Sequence, residues 1–85
     1  MKTNDDLEKE LMAIDPVKTT LLNLTGEIMA KRYRIDMSIE ELANKTNISA
    51  KHIKDMEEGL IDPDFETVAK LAYVLDMKVV LAENN

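Results

Sequence analysis

Few side chains in this sequence are equipped for covalent or metal chemistry. The 85 residues include no Cys and a single His, His52, which excludes a disulfide framework, a Cys zinc site, thiol catalysis and a multi-His metal site. Ser38 and Ser49 stand at helix starts as capping residues, and neither is paired with a base that would activate it as a nucleophile. We therefore predict no catalytic residues, no metal site and no cofactor, and we expect that the protein is not an enzyme.

The length and composition favour one small helical domain. A 45% hydrophobic and 33% charged composition suits a globular fold, and two Gly and two Pro leave few forced turns. The longest apolar run, residues 79–82, is far shorter than the roughly 20 residues of a membrane span. Residues 1–6 lack the apolar region of a signal peptide. We expect a cytoplasmic protein with no membrane partner.

The charges are unevenly distributed along the chain. A net charge of −6 argues against nucleic acid as a partner, because domains that neutralise phosphates usually carry a basic face. Residues 1–16 and residues 59–85 each carry two bases against five acids, whereas residues 17–58 carry seven of each. Any basic face therefore lies in the middle of the chain, and the alternative is an ordinary surface of mixed charge.

Apolar spacing and capping residues predict where the helices begin and end. The pattern predicts a short helix over residues 4–14, a long helix from Asp15-Pro16 to about Ile35, and a last helix that Asp64 caps. Residues 77–82 are β-branched and short, which predicts a strand. The residues expected to face inward on the long and last helices are Val17, Leu21, Leu24, Ile28, Phe65, Val68, Ala69, Ala72 and Leu75.

Between these helices lies a pair of short helices with helix-turn-helix dimensions, residues 38–45 and 49–58, joined by a turn at 46–48. Ser38 and Glu41 form a capping box at the first start, and Gly59 ends the second helix. Ala43 is small where the helices cross. The residues expected to wedge the pair together are Leu42, Ala43, Ile48, Ile53 and Met56.

The residues of this pair carry a family resemblance. Ser38-Ile39-Glu40-Glu41-Leu42-Ala43, followed by Asn47-Ile48-Ser49, Ile53, Met56-Glu57-Glu58-Gly59 and Asp62-Pro63, resembles the phage-repressor-like (Xre-type) helix-turn-helix family. The resemblance covers about residues 20–82. It implies an all-α, compact helical bundle of the lambda repressor-like DNA-binding domain type over residues 16–85, with the motif at 38–58. An N-terminal helical extension over residues 1–15 and a short C-terminal strand complete the expected architecture.

The resemblance also implies a site and a partner, double-stranded operator DNA. Lys51 would donate to guanine O6/N7, His52 would stack or donate, and Asp55 would accept from cytosine N4; the alternative for the lysines is a solvated helix face. Arg32 and Glu57 match the family's partly buried ion pair, and the alternative is two exposed charges that never meet. The DNA-binding residues implied are Ser38, Ile39, Ser49, Ala50, Lys51, His52, Lys54 and Asp55.

Some positions depart from the family pattern and leave a second function open. Ile39 replaces a Gln that contacts phosphate in many relatives, and acids occupy a loop where relatives often carry Asn, Lys or Arg. Acids beside phosphate are repulsive, and Ile39, Leu60 and Ile61 would form an apolar patch typical of a protein interface. The two functions are a DNA-binding transcriptional regulator and a repressor-like fold used as a protein-interaction module. The substituted loop positions are Glu58, Leu60, Asp62 and Asp64.

Residues 7–32 and residues 78–82 each predict a further partner. Residues 7–32 resemble the corresponding part of HigA-type antitoxins of type II toxin–antitoxin pairs, which implies a toxin protein as partner and repression of the protein's own operon. We also predict a homodimer, because the strand Lys78–Ala82 would leave an unpaired edge and two-fold symmetry matches palindromic half-sites. The strand and the last helix are the predicted interface.

Overall fold

The computed structural model describes residues 15–80 of the chain. This part is all-α, as the sequence predicts, and the predicted helix over residues 4–14 lies outside it. No helix within residues 15–80 is both long and apolar enough to cross a lipid bilayer. The helices of the described part are α1 (Pro16–Arg34), α2 (Ile39–Thr46), α3 (Ala50–Glu57) and α4 (Phe65–Val74).

Each of these helices begins at a capping side chain that the sequence predicts. Asp15, Ser38, Ser49 and Asp64 each accept a hydrogen bond from the backbone N–H three residues further on, which satisfies a donor that the helix itself leaves free. The other half of the predicted capping box is wrong, because within residues 15–80 the Ser38 backbone N–H donates no hydrogen bond to the Glu41 carboxylate. Ser38 is exposed, so water can satisfy its N–H.

The helices end in left-handed turns. Asp36, Asn47 and Gly59 have φ values of 55°, 61° and 76°, in the region that Gly and Asn tolerate best. Thr46 is the last residue of α2 rather than part of the turn. Its hydroxyl donates to the Leu42 carbonyl at 2.7 Å and accepts from Ile48 N–H at 3.3 Å, which joins the helix end to the turn.

The core lies where α1 and α2 pack against both α3 and α4. The predicted wedge residues Leu42, Ile53 and Met56 are buried, and Ala43 and Ile48 are partly buried against them. The remaining buried apolar residues are Ile28, Val68, Leu71, Ala72 and Leu75. This core fixes α3 to the rest of the domain by one face.

Two apolar residues predicted to face inward are exposed. Val17 and Phe65 stand in the first turns of α1 and α4, and both are more than half exposed. Their spacing points them toward the core, but the packed layer begins one turn later, at the partly buried Leu21 and the buried Val68. The helical period gives a residue's direction, whereas its burial depends on how far the packed layer extends.

The predicted C-terminal strand does not form in its described part, residues 77–80. Met77 N–H donates to the Ala72 carbonyl at 2.8 Å, so Met77 closes α4 instead of starting a strand. A strand also needs a hydrogen-bonded neighbour, and residues 15–80 contain no other strand. Residues 81 and 82 lie outside the described part.

Candidate nucleic-acid interface

A buried ion pair attaches α3 to α1. Arg32 Nε and Nη2 donate to the two carboxylate oxygens of Glu57 at 2.8 and 2.6 Å, and the two side chains are only 8% and 9% exposed. This bidentate geometry is the strong form of an Arg–carboxylate pair. The hydrogen bond to Glu57 raises the pKa of Arg32 above its usual value, so the guanidinium stays charged.

The remaining surface of the Arg32 guanidinium is also occupied. Nη1 donates to the Met37 carbonyl at 3.0 Å, and the guanidinium carbon lies 4.5 Å from the centre of the Tyr33 ring, within cation–π range. No buried side-chain nitrogen or oxygen in residues 15–80 lacks a hydrogen-bond partner. The Met37 and Tyr33 contacts were not anticipated, since neither has a spacing signal in the sequence.

The outer face of α3 carries most of the predicted contact residues. Ile53 and Met56 face the core, which turns Lys51 and Lys54 to the exposed side, and Ala50, His52 and Asp55 are half-buried. The α2–α3 turn at Asn47 holds this orientation. A helix with small and basic residues outward has the dimensions that fit the major groove of DNA.

Two of the predicted base-contacting residues bind each other. Lys51 Nζ lies 2.7 Å from Asp55 Oδ2 at the i, i+4 spacing of neighbouring turns. The Lys51 side chain is 84% exposed, and the hydrogen bond to Asp55 raises its pKa. To contact a base, Lys51 must therefore either break its ion pair with Asp55 or bind the base while the pair stays intact.

The residues at the starts of α2 and α3 have local roles. The hydroxyls of Ser38 and Ser49 are engaged as caps. Ile39 and Ile61 are partly buried against the core, while Leu60 stays 69% exposed. Ile39 and Ile61 therefore offer only part of their surface to the predicted apolar patch, and Leu60 is its most exposed member.

Two acids of the loop at residues 58–64 make contacts within the domain. Asp62 lies 3.5 Å from Lys18 Nζ, a contact that sequence reasoning missed because it joins distant parts of the chain. Asp64 accepts from the hydroxyl and the backbone N–H of Thr67, and these hydrogen bonds lower its pKa. Glu58 is exposed, as Asp62 and Asp64 are, and it directly follows α3.

Comparison with known proteins identifies a family and a curated relative. The Helix-turn-helix family matches residues 28–80, a span that contains Arg32, Glu57 and all of α2, α3 and α4. The chain is 30% identical over 60 residues to "Uncharacterized HTH-type transcriptional regulator y4dL" of Sinorhizobium fredii (strain NBRC 101917 / NGR234). The aligned part covers 71% of this chain and 31% of that relative, so the chain spans about a third of its length. No solved structure matches.

Proposed function

Because the chain belongs to the helix-turn-helix family, we propose that it is a sequence-specific DNA-binding transcriptional regulator. The observation that supports this most directly is the attachment of α3 by its inner face alone. The core residues and the Arg32–Glu57 pair hold that face, and the outer face with Lys51 and Lys54 is left to solvent. A rigidly held helix with one free, partly basic face is what major-groove recognition requires.

In this proposal the contact residues divide into base readers and phosphate binders. Lys51 donates to guanine O6/N7, Asp55 accepts from cytosine N4, and His52 stacks or donates at the groove edge. Lys54 contacts phosphate. Ala50 is small enough to let the backbone approach the bases.

Ser38, Ile39 and Ser49 lie at the starts of α2 and α3 in the same proposal. The N-terminal turns of the two helices offer backbone N–H groups and the positive end of the helix dipole to phosphate oxygens. Ile39 adds no phosphate hydrogen bond. The backbone of its turn supplies the contact instead.

Two finer assignments belong to the same proposal. The protein binds a palindromic operator as a homodimer, since two copies of α3 related by a two-fold axis read two half-sites. It is also the antitoxin of a type II pair that represses its own operon, with a cognate toxin as protein partner. The support for the antitoxin role is the resemblance of residues 7–32 to HigA-type antitoxins, and the test is co-purification with the product of an adjacent small gene.

The proposed DNA binding is tested by titrating random duplex DNA at several salt concentrations. Native protein should bind with an affinity that falls steeply as salt rises, because each phosphate contact releases counterions. Glu58→Lys and Asp62→Lys should strengthen that binding and steepen its salt dependence. The charge-conserving Glu58→Asp is the matched control and should leave both unchanged.

The second candidate function is a protein-interaction module, favoured by the exposed Leu60 beside the acid Glu58. The same titration distinguishes this function from DNA binding. If the native protein binds no duplex and only the lysine variants do, the DNA-binding proposal fails and the interaction module replaces it.

A further inference from the structure

One side of α4 carries a stripe of residues that lies outside the buried core. Phe65, Ala69 and Tyr73 recur every four residues and so lie on one side of the helix. Phe65 is 59% exposed and Tyr73 is 83% exposed. Together with Thr46 and Val74 they line an open groove of about 630 Å³ between α4 and the end of α2. Large aromatic side chains left in water on a small domain mark an interaction surface.

Phe65 separates this groove from a second one. The second groove, of about 330 Å³, lies between α1 and α4 and is lined by Val17, Leu21, Leu24 and Val79. The two apolar grooves therefore form a continuous surface with the Phe65 ring as its ridge. The same surface explains why Val17 and Phe65 are exposed despite their inward spacing.

We propose that this surface binds a second copy of the chain, with the two α4 helices antiparallel across a two-fold axis at Ala69. The inference rests on the proposed function, which calls for a two-fold pair, and it places the contact at a defined surface. Phe65 and Tyr73 each lie four residues from Ala69. A two-fold axis there sets Phe65 of one copy opposite Tyr73 of the other, twice, with the small Ala69 allowing close approach at the crossing.

The charges beside the stripe fit the same arrangement. Glu66 and Lys70 flank the stripe on one side and are 3.3 Å apart within the helix. Across an antiparallel pair like flanks face each other, so Glu66 of one copy comes within about one helical turn of Lys70 of the other. A flank with one acid and one base is complementary to itself under a two-fold axis, whereas a flank of one sign would repel its copy.

The first test measures self-association by sedimentation equilibrium of the full chain without DNA. Native protein should be a dimer at tens of micromolar. Tyr73→Lys should raise the dimer dissociation constant about tenfold or more, because a buried aromatic is the type of residue that dominates interfaces. Leu22→Lys makes the same kind of change at an exposed residue of α1 that lines neither groove and should leave the constant unchanged. Thermal melts check that both variants stay folded.

The second test uses charge reversal and mixing. Glu66→Lys makes the flank wholly basic and Lys70→Glu makes it wholly acidic, so each variant alone should dissociate more readily than the native chain. An equimolar mixture should regain dimers, because opposite flanks now face each other. A change confined to the stability of one chain would give no recovery on mixing.

The outcomes separate this inference from the proposed function. A native monomer at tens of micromolar, or dimers that Tyr73→Lys leaves intact, would overturn the α4 interface whatever the DNA titration shows. The latter result would mean that another surface or another segment of the chain pairs the copies. Conversely, if the dimer responds as expected but binds no duplex DNA, the α4 interface stands and the proposed regulator function is wrong.

Discussion

The two faces of α3 are held in opposite ways. The inner face is fixed several times over, by Ile53 and Met56 in the core and by Glu57 in a bidentate pair with Arg32. Within residues 15–80, the ion pair on the outer face lies inside that face, between Lys51 and Asp55. One eight-residue helix thus has a side that determines folding and a side that is available for binding.

This difference separates stability from recognition within a single helix. Substitutions on the inner face should change the free energy of unfolding, and those on the outer face should change DNA affinity with little effect on folding.

The largest effect is expected at the buried pair. Arg32→Ala and Glu57→Ala should each lower the free energy of unfolding by about 3–5 kcal/mol, because each leaves the other charge buried without a partner. The double variant should lose much less than the sum, since both remove one interaction. Urea denaturation measures all three.

The matched control is the exposed pair Lys18–Asp62. Lys18→Ala and Asp62→Ala should each cost less than about 1 kcal/mol, as is usual for surface ion pairs. Strictly additive losses at Arg32 and Glu57 would show that their contact contributes no coupling.

The next effect is expected on the outer face. Lys51→Ala should weaken binding to a cognate site by about 1–3 kcal/mol if the side chain reads a base. Lys54→Ala should cost less and act alike on all sequences, because phosphate contacts carry no sequence information. Competition binding with cognate and random duplexes distinguishes the two, and a parallel loss of unfolding free energy would contradict the division between the faces.

A smaller effect, a gain in DNA affinity, is expected when the Lys51–Asp55 ion pair is removed. Asp55→Asn removes an acid from the recognition face and frees the ammonium group, so non-specific affinity should rise about fivefold to tenfold at about 0.1 M salt. Glu27→Gln makes the same change of charge at an exposed site on α1 and should have little effect. Equal gains from both variants would mean that overall charge matters and the Lys51–Asp55 pair does not.

The smallest effect concerns the turn that orients α3. Asn47→Gly should raise the free energy of unfolding by up to about 1 kcal/mol, because Gly adopts the left-handed conformation at φ 61° without a steric cost. Asn47→Ala should lower it by a similar amount. Thermal unfolding compares the three residues, and a more stable Ala variant would show that this position is under no backbone strain.

Local features of the sequence predicted the helices and the inner face of α3. The caps at Asp15, Ser38, Ser49 and Asp64 form hydrogen bonds within three residues, so no distant contact is needed to define them. The Lys51–Asp55 pair was predictable on the same grounds, because its i, i+4 spacing is visible in the sequence. Burial of Leu42, Ile53 and Met56 followed from helical periodicity combined with the motif.

Only the tertiary structure decided which apolar residues remain in water. Ile39 and Ile61 pack on the core, whereas Phe65 and Tyr73 do not, and periodicity assigns a direction to each without showing where the packed layer ends. The strand over residues 77–82 failed in its described part for a related reason. A strand is completed by a neighbouring chain segment, and residues 15–80 contain none. Helix caps and apolar periodicity are properties of a few consecutive residues. The exposure of a side chain and the pairing of a strand depend on which distant parts of the chain pack beside them.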